Sequence, residues 1–318
     1  MRHAGAVQLD TVIFDIGQVV VTWEPERAFE AVMPASDVPA FMARIGFAEF
    51  NRANDGRASI AGSEDELVAR FPSEEVGIRA YRANFPLTIQ HSVPGTGAVI
   101  AELARAGHTV SALTNWSADM FEIARERFQV LGRFRDIVVS GVEGIVKPDP
   151  EIYRLACRRL GIEPSRAVFV DDTLANAVAA SGVGLVGLQF TGAAALRADL
   201  VRLGLLGEPE PVPGPIYHWA LREDWERAAV SVYPWSTRGV DYERAGFVHC
   251  SLPGQVDGIR AAIFGDLPRE DLVLLELDPA GLPVVLEDGG TGEEYPHLFA
   301  PLPVGLARPV DAPAQASL

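Results

Sequence analysis

The chain has 318 residues, 48% of them hydrophobic and 22% charged, a length and balance that predict more than one soluble globular domain with sizeable cores. Net charge is −16, and 18 of the 43 acidic but only 7 of the 27 basic residues follow residue 207, which argues against nucleic acid and anionic membrane as electrostatic partners. Two widely separated cysteines imply no disulfide framework, and no apolar run approaches the roughly 18 residues of a membrane span, so a cytoplasmic location is expected.

In chain order, β-branched runs at 11–16, 109–113, 137–139, 167–170 and 185–188 predict strands. Amphipathic stretches at 97–106, 118–128, 151–160 and 175–181 predict helices between them. This alternation predicts βαβ units and a parallel sheet buried on both faces. Residues 24–90 interrupt the rhythm and are expected to form a helical insertion after the first strand. The segment 208–215, Glu-Pro-Glu-Pro-Val-Pro-Gly-Pro, reads as a stiff linker. Beyond it come strand-like 216–219, helical 221–229, the segment 246–251 and helical 255–264. Strand-like 271–278 and 283–288, a glycine-rich turn and a closing strand-like stretch complete the chain. The expected organisation is an α/β domain at 1–207 with its insertion at about 24–90, the linker, and a small α+β domain of mainly antiparallel strands at 216–318.

Ligands of parallel sheets bind beyond the carboxyl ends of the strands, so the residues that end each strand carry the information. The first strand ends in Asp15, the second in Thr114 and Asn115, and the fourth in Asp171 and Asp172. Lys147 is expected to open the helix after the third strand, and it is the only lysine beside 26 arginines. An ammonium is a compact point charge that fits where the planar guanidinium needs more room. Carboxylates on neighbouring strand ends repel one another and any anionic ligand, so a cation is expected between them. Trp116 either lines the mouth of this edge or packs against it, and Gln18 and Thr22 follow the first strand closely. Asn54, Asp55 and Arg57 lie within the insertion, where a substrate would be selected, but a solvated turn is the expected reading.

Four segments, Phe-Asp-Ile-Gly-Gln-Val-Val (14–20), Leu-Thr-Asn-Trp-Ser (113–117), Val-Lys-Pro-Asp-Pro-Glu-Ile-Tyr (146–153) and Val-Phe-Val-Asp-Asp-Thr-Leu-Ala-Asn (168–176), resemble in order the four motifs of the haloacid dehalogenase superfamily. The resemblance spans roughly residues 9–206 and is to the capped, phosphatase-like branch with a Phe-Asp-x-Gly first motif. It implies a doubly wound parallel sheet with a helical cap at the insertion. By that resemblance Asp15 is the nucleophile that forms an aspartyl-phosphate, and Thr114 and the backbone NH of Asn115 hold phosphate oxygens. Trp116 and Gln18 are further substrate-side candidates, and Lys147 neutralises charge between Asp15 and the phosphoryl group. A Mg²⁺ ion would be held by Asp15, the carbonyl of Gly17 and Asp172, with Asp171 supporting. The implied substrate is a small phosphorylated metabolite, with sugar phosphates among the candidates.

One departure stands out. Where the family usually has a second Asp acting as general acid and base, this chain has Gly17. That role is worth about 10²–10⁴-fold, so substrates whose leaving groups need little protonation are expected. A 2-haloacid dehalogenase, which needs neither the second Asp nor a metal, is the alternative; the Asp171-Asp172 pair points away from it. A non-catalytic ligand-binding protein is the other alternative.

In the C-terminal part, the segments around His218, His249 and His297 resemble the domain-of-unknown-function family 952 across roughly residues 215–310. At the level of fold that family is similar to ADP-ribosyltransferases. By analogy His218, Ser251 and one acidic residue among Glu287, Glu293 and Glu294 are candidates for a ligand site. Purely structural histidines and a polar pocket without chemistry remain alternative readings.

Overall fold

The computed structural model describes residues 8–228, 232–290, 292–311 and 313. Residues 1–7, Ala229 at the end of the expected post-linker helix and Thr291 in the glycine-rich turn lie outside the described residues. Two compact units emerge: residues 1–93, 107–127 and 131–205 form the first, and residues 94–106, 128–130 and 206–318 form the second.

The first unit is built on five parallel strands, β1 (Thr11–Phe14), β2 (Thr109–Thr114), β3 (Ile137–Val139), β4 (Ala167–Asp171) and β5 (Val186–Gln189), in the order β3-β2-β1-β4-β5. β1 is central and buried at all four positions, as a continuous apolar run demands. Its register against β2 and β4 sets Phe14 beside Ala112 and Val170, so the next residue, Asp15, emerges between the ends of its neighbours. The Asp15 amide donates to the Val170 carbonyl at 2.8 Å and holds that position.

The insertion is helical: α1 (Glu26–Glu30), α2 (Val38–Ile45), α3 (Phe47–Asn54), α4 (Ala61–Arg70) and α5 (Glu75–Ala83). Phe29, Phe41, Phe47 and Tyr81 form its aromatic core, with ring centroids 4.9–6.0 Å apart. The two segments joining it to the sheet pair with each other. Thr22 N donates to His91 O and Val93 N to Val20 O, both at 2.8 Å, and Glu24 N donates to Thr88 O at 2.7 Å.

Helix α6 (Thr96–Arg105) belongs to the second unit, where Ala98 and Ala101 cluster with Val285 and Phe299. In the first unit follow α7 (Ala118–Arg127), α8 (Ser140–Glu143), α9 (Pro150–Leu160), α10 (Leu174–Val183) and α11 (Ala193–Arg202). α9 starts where Asp149 accepts from the Glu151 amide at 2.8 Å and Pro150 takes the first turn, and it stops at left-handed Gly161. It buries Ile152, Tyr153, Ala156, Cys157 and Leu160 beneath the sheet. Each large apolar side chain so buried contributes about 1.5–3 kcal/mol.

The second unit also holds strands β6 (Ile216–Leu221), β7 (Val232–Tyr233), β8 (Trp235–Thr237), β9 (Val240–Asp241), β10 (Val248–His249), β11 (Leu272–Leu277), β12 (Val284–Asp288), β13 (Glu294–Leu298), β14 (Leu302–Pro303) and β15 (Ala307–Val310). Two antiparallel three-stranded sheets, β15-β11-β6 and β10-β13-β12, are bridged where Tyr217 and Ser251 exchange backbone hydrogen bonds. Helices α12 (Arg222–Arg227), α13 (Tyr242–Ala245) and α14 (Val256–Phe264) complete the α+β arrangement. The proline-rich segment lines a cavity of about 580 Å³ with Glu276 and Asp278, an acidic lining that disfavours phosphate. No helix among the described residues is long and apolar enough to cross a membrane.

Candidate active site

Three strand ends of the first unit, those of β1, β2 and β4, converge on Lys147. Its ammonium lies 2.9 Å from Asp15 Oδ1 and 2.7 Å from Asp171 Oδ2, and donates to the Leu113 carbonyl at 3.1 Å. The ammonium thus hydrogen-bonds Asp171 and Leu113 and forms an ion pair with Asp15, and the residue is 4% exposed. Lys147 therefore stands between two carboxylates. It sits in the loop ahead of α9 rather than in its first turn, because Asp149 is the capping residue. Asn115 fixes that loop from across the sheet edge: its side chain accepts from Lys147 N at 2.8 Å and donates to Lys147 O at 2.9 Å.

Burial pushes the Asp15 carboxyl up to about 6, with Lys147 pulling it down and Asp171 adding to the rise. Burial alone would lower the pKa of Lys147, but Asp15 and Asp171 together hold it above its ordinary value. Asp171 is fully buried and hydrogen-bonded on both oxygens. Thr173 N and Asn176 Nδ2 reach Oδ1 at 2.9 and 3.0 Å, and Lys147 and Asn176 reach Oδ2. Asp172 is half-buried, and its pKa is raised by burial and by Asp171. Asp15, Asp171 and Asp172 offer oxygens within 4.8 Å of one another. As ionised groups they outnumber the one ammonium by two charges, and hard carboxylate oxygens so clustered suit a hard divalent cation.

The other predicted residues are placed as follows. Thr114 ends β2 and is buried. Trp116 packs between Phe85 and Phe121 at centroid distances of 6.0 and 5.8 Å. Gly17 lies two residues after Asp15, and Gln18 takes a left-handed conformation, φ 58°, its side chain exposed and donating to Trp23 O at 2.9 Å. Thr22 Oγ1 donates to His91 O at 3.0 Å in the paired joining segments.

The expected solvated turn at 54–57 is not one. Asn54 is 3% exposed, donating to Phe50 O and accepting from Ser63. Arg57 is exposed, but its carbonyl accepts from Ala118 N at 3.1 Å. Asp55 is half-buried, and the Ser140 hydroxyl donates to its backbone carbonyl while accepting from Trp116 N at 2.9 Å. Burial raises the Asp55 carboxyl to about 7, with Lys147 opposing the rise and Asp15 adding to it. Contacts with residues 60–85 positions away in the chain create this seat, which the local sequence does not announce. Ser140, fully buried, was not singled out by the sequence, since a lone serine carries no spacing signal.

In the second unit His218 Nδ1 donates to the His249 carbonyl at 2.7 Å, and burial pushes its imidazole down to about 4. Its Nε2 is buried with no hydrogen-bond partner among the described residues. His249 and His297 are cross-strand neighbours with ring centroids 5.0 Å apart, and His297 Nδ1 lies 2.7 Å from Glu287 Oε2. Of the three acidic candidates, Glu287 is the one paired with a histidine. Glu293 bonds Gln255 and Tyr295, and Glu294 bonds Arg105. Ser251 is buried at the bridge to Tyr217.

Residues 9–184 match the family profile for haloacid dehalogenase-like hydrolases, and residues 220–308 match that of DUF952, a protein of unknown function. A sesquiterpene phosphatase of Aspergillus oryzae is 30% identical over 196 residues, 60% of this chain and 94% of its own length. An (S)-2-haloacid dehalogenase of Burkholderia cepacia is 31% identical over 143 residues, 44% of this chain and 56% of its own. A haloacid dehalogenase family enzyme of Bacteroides thetaiotaomicron, solved with magnesium and inorganic phosphate, is 17% identical with a TM-score of 0.48, covering 58% of this chain and 95% of that one. The chain belongs to the haloacid dehalogenase-like hydrolases, an enzyme family, and carries a DUF952 region behind its hydrolase domain.

Proposed function

We propose that the first unit is a Mg²⁺-dependent phosphomonoesterase acting on a small phosphorylated metabolite, with Asp15 as nucleophile. The observation that carries this reading is the trio of carboxylates held within 4.8 Å around one buried ammonium. That net negative edge would repel a phosphate dianion unless a cation joined it. Asp15, Asp172 and the carbonyl of Gly17 would hold the ion, since Asp171 already has hydrogen-bond partners on both oxygens. When bound, such an ion supplies charge neutralisation for the phosphoryl oxygens.

The chain's own residues do the rest. Asp15 attacks phosphorus to form the aspartyl-phosphate, held in line by its backbone bond to Val170 and by Lys147. Lys147 keeps Asp15 ionised and oriented. Thr114 and the Asn115 amide, at the end of β2, receive phosphate oxygens in this reading. The phosphatase relative supports a phosphate ester as substrate, and the domain organisation we propose keeps this chemistry within residues 1–207. For residues 216–318 we propose a ligand-binding role at His218, His249 and His297, supported by the buried, partnerless Nε2 of His218.

The test is a screen of phosphorylated metabolites with Mg²⁺, comparing wild type with Asp15→Asn. Turnover should fall about 10⁴-fold in the variant and vanish on chelation. Turnover of a 2-haloacid that survives chelation would instead establish the dehalogenase alternative.

A further inference from the structure

The catalytic edge has a nucleophile and charge to hold it, but the position two residues after Asp15 is Gly17, which can move no proton. The candidates for that task are few. The Lys147 ammonium is held by Asp15, Asp171 and Leu113, Asp171 is hydrogen-bonded on both oxygens, and the Tyr81 hydroxyl donates to Asn51 at 3.1 Å. Asp172 is wanted for the cation. Asp55 is different. Its carboxylate makes no hydrogen bond or ion pair among the described residues, yet it lies near enough to feel both the Asp15 and Lys147 charges.

Its position is also fixed from several sides. Ser140 ties the Asp55 carbonyl to the Trp116 amide, one residue beyond Asn115. The next residue, Gly56, packs so closely that a β-carbon there would stand 3.2 Å from Val146, the neighbour of Lys147. Ala118 N and Asp119 N bond the carbonyls of Arg57 and Ala58 at 3.1 and 3.0 Å. The loop is thus pinned by its backbone while its acidic side chain is left uncommitted.

We propose that Asp55, contributed by the insertion, is the proton-transfer residue of this site, replacing the side chain that Gly17 lacks. The proposal rests on the phosphatase reading above. As Asp15 attacks phosphorus and the bond from phosphorus to the leaving oxygen breaks, the Asp55 carboxylic acid gives its proton to that oxygen, releasing the alcohol. The resulting Asp55 carboxylate then takes a proton from water as the water oxygen attacks the aspartyl-phosphate, and the bond from phosphorus to Asp15 breaks to give inorganic phosphate. Each turnover returns Asp55 to its acid form. Burial, which favours the neutral carboxyl, is consistent with the first step.

This reverses the expectation drawn from Gly17, because alkyl phosphates become substrates. The experiment compares full-length wild type and Asp55→Asn with Mg²⁺ on a panel of alkyl phosphates and on p-nitrophenyl phosphate, whose leaving group needs no proton. Wild type should turn over both classes. Asp55→Asn should lose about 10²–10⁴-fold on alkyl esters, while releasing p-nitrophenol in a burst of one per site followed by slow turnover. Asp55→Ser, read alongside by circular dichroism and the same burst, guards against a folding defect. Equal losses in the first, alcohol-releasing step on both ester classes, no loss in that step on either, or a wild type confined to p-nitrophenyl phosphate would overturn the role of Asp55. A wild type with no Mg²⁺-dependent phosphatase activity would overturn the phosphatase reading beneath it.

Discussion

At the edge of the first unit, Asp15, Asp171 and Lys147 are buried and paired with one another, whereas in the second unit His218 is equally buried but neutral, with one ring nitrogen bonded and the other not. The two solutions have different consequences. A buried ion pair is costly to break because the orphaned charge has no solvent to turn to. A buried neutral imidazole is stable until acid forces a proton onto it. The first arrangement keeps ionised groups together at the sheet edge; the second keeps charge out of a core made of residues such as Tyr233, Cys250 and Leu275.

The strongest way to break that contrast is to remove the lysine. Lys147→Met leaves Asp15 and Asp171 without their shared cation, and a loss of about 3–5 kcal/mol in unfolding free energy is expected. Lys147→Arg keeps the charge but not the shape, since the guanidinium fork cannot replace an ammonium enclosed by Asp15, Asp171 and Leu113. Turnover should fall by about 10²-fold or more with the fold retained by circular dichroism. Near-normal activity in that variant would remove Lys147 from the site.

Acid titration sharpens the other side. The His218 pKa is about 4 in the folded chain against an ordinary 6.5, so between those values the unfolded chain binds the extra proton. Stability contributed by the neutral ring is complete above about pH 6.5 and is lost as pH falls toward 4, on the order of 3 kcal/mol in total. His218→Asn keeps a donor toward the His249 carbonyl but cannot titrate. Denaturant unfolding between pH 7 and 4 should therefore show a shallower decline in the variant, and parallel curves would rule His218 out as the cause.

The smallest effect concerns the seat of Asp55. A β-carbon on Gly141 would stand 2.5 Å from Ala118 N and Arg57 O and 2.6 Å from Trp116 O, all backbone atoms. Gly141→Ala should destabilise by about 1–3 kcal/mol and lower turnover by displacing the loop, measured by thermal melts and kcat together. An unchanged melt would mean that the loop adjusts freely.

Much of the candidate site was legible in the sequence because strand ends announce themselves. Apolar β-branched runs stop at Asp15, Thr114 and Asp171, and parallel pairing brings those stops to one edge. Lys147 was legible through its rarity. Asp55 was not, because its neighbourhood is made by Ser140, Trp116 and Ala118, distant in the chain and bonded mostly through backbone. Helix α6 was read correctly as a helix, but its amphipathic pattern does not say which sheet its alanines will meet; they cluster with Val285 and Phe299. The choice of Glu287 over Glu293 and Glu294 likewise depends on β12–β13 register, which sets His297 opposite Val285 and within reach of Glu287.

The solitary lysine has a practical corollary. Apart from the α-amino group, the chain owns a single primary amine, and it is enclosed by two carboxylates and 4% exposed. Acylating reagents should therefore leave the folded protein almost unmodified beyond its N-terminus and react at Lys147 only when the edge opens. Mass spectrometry of such labelling counts one site, with no background from other lysines, so the fraction modified over time measures how often this strand-end edge comes apart.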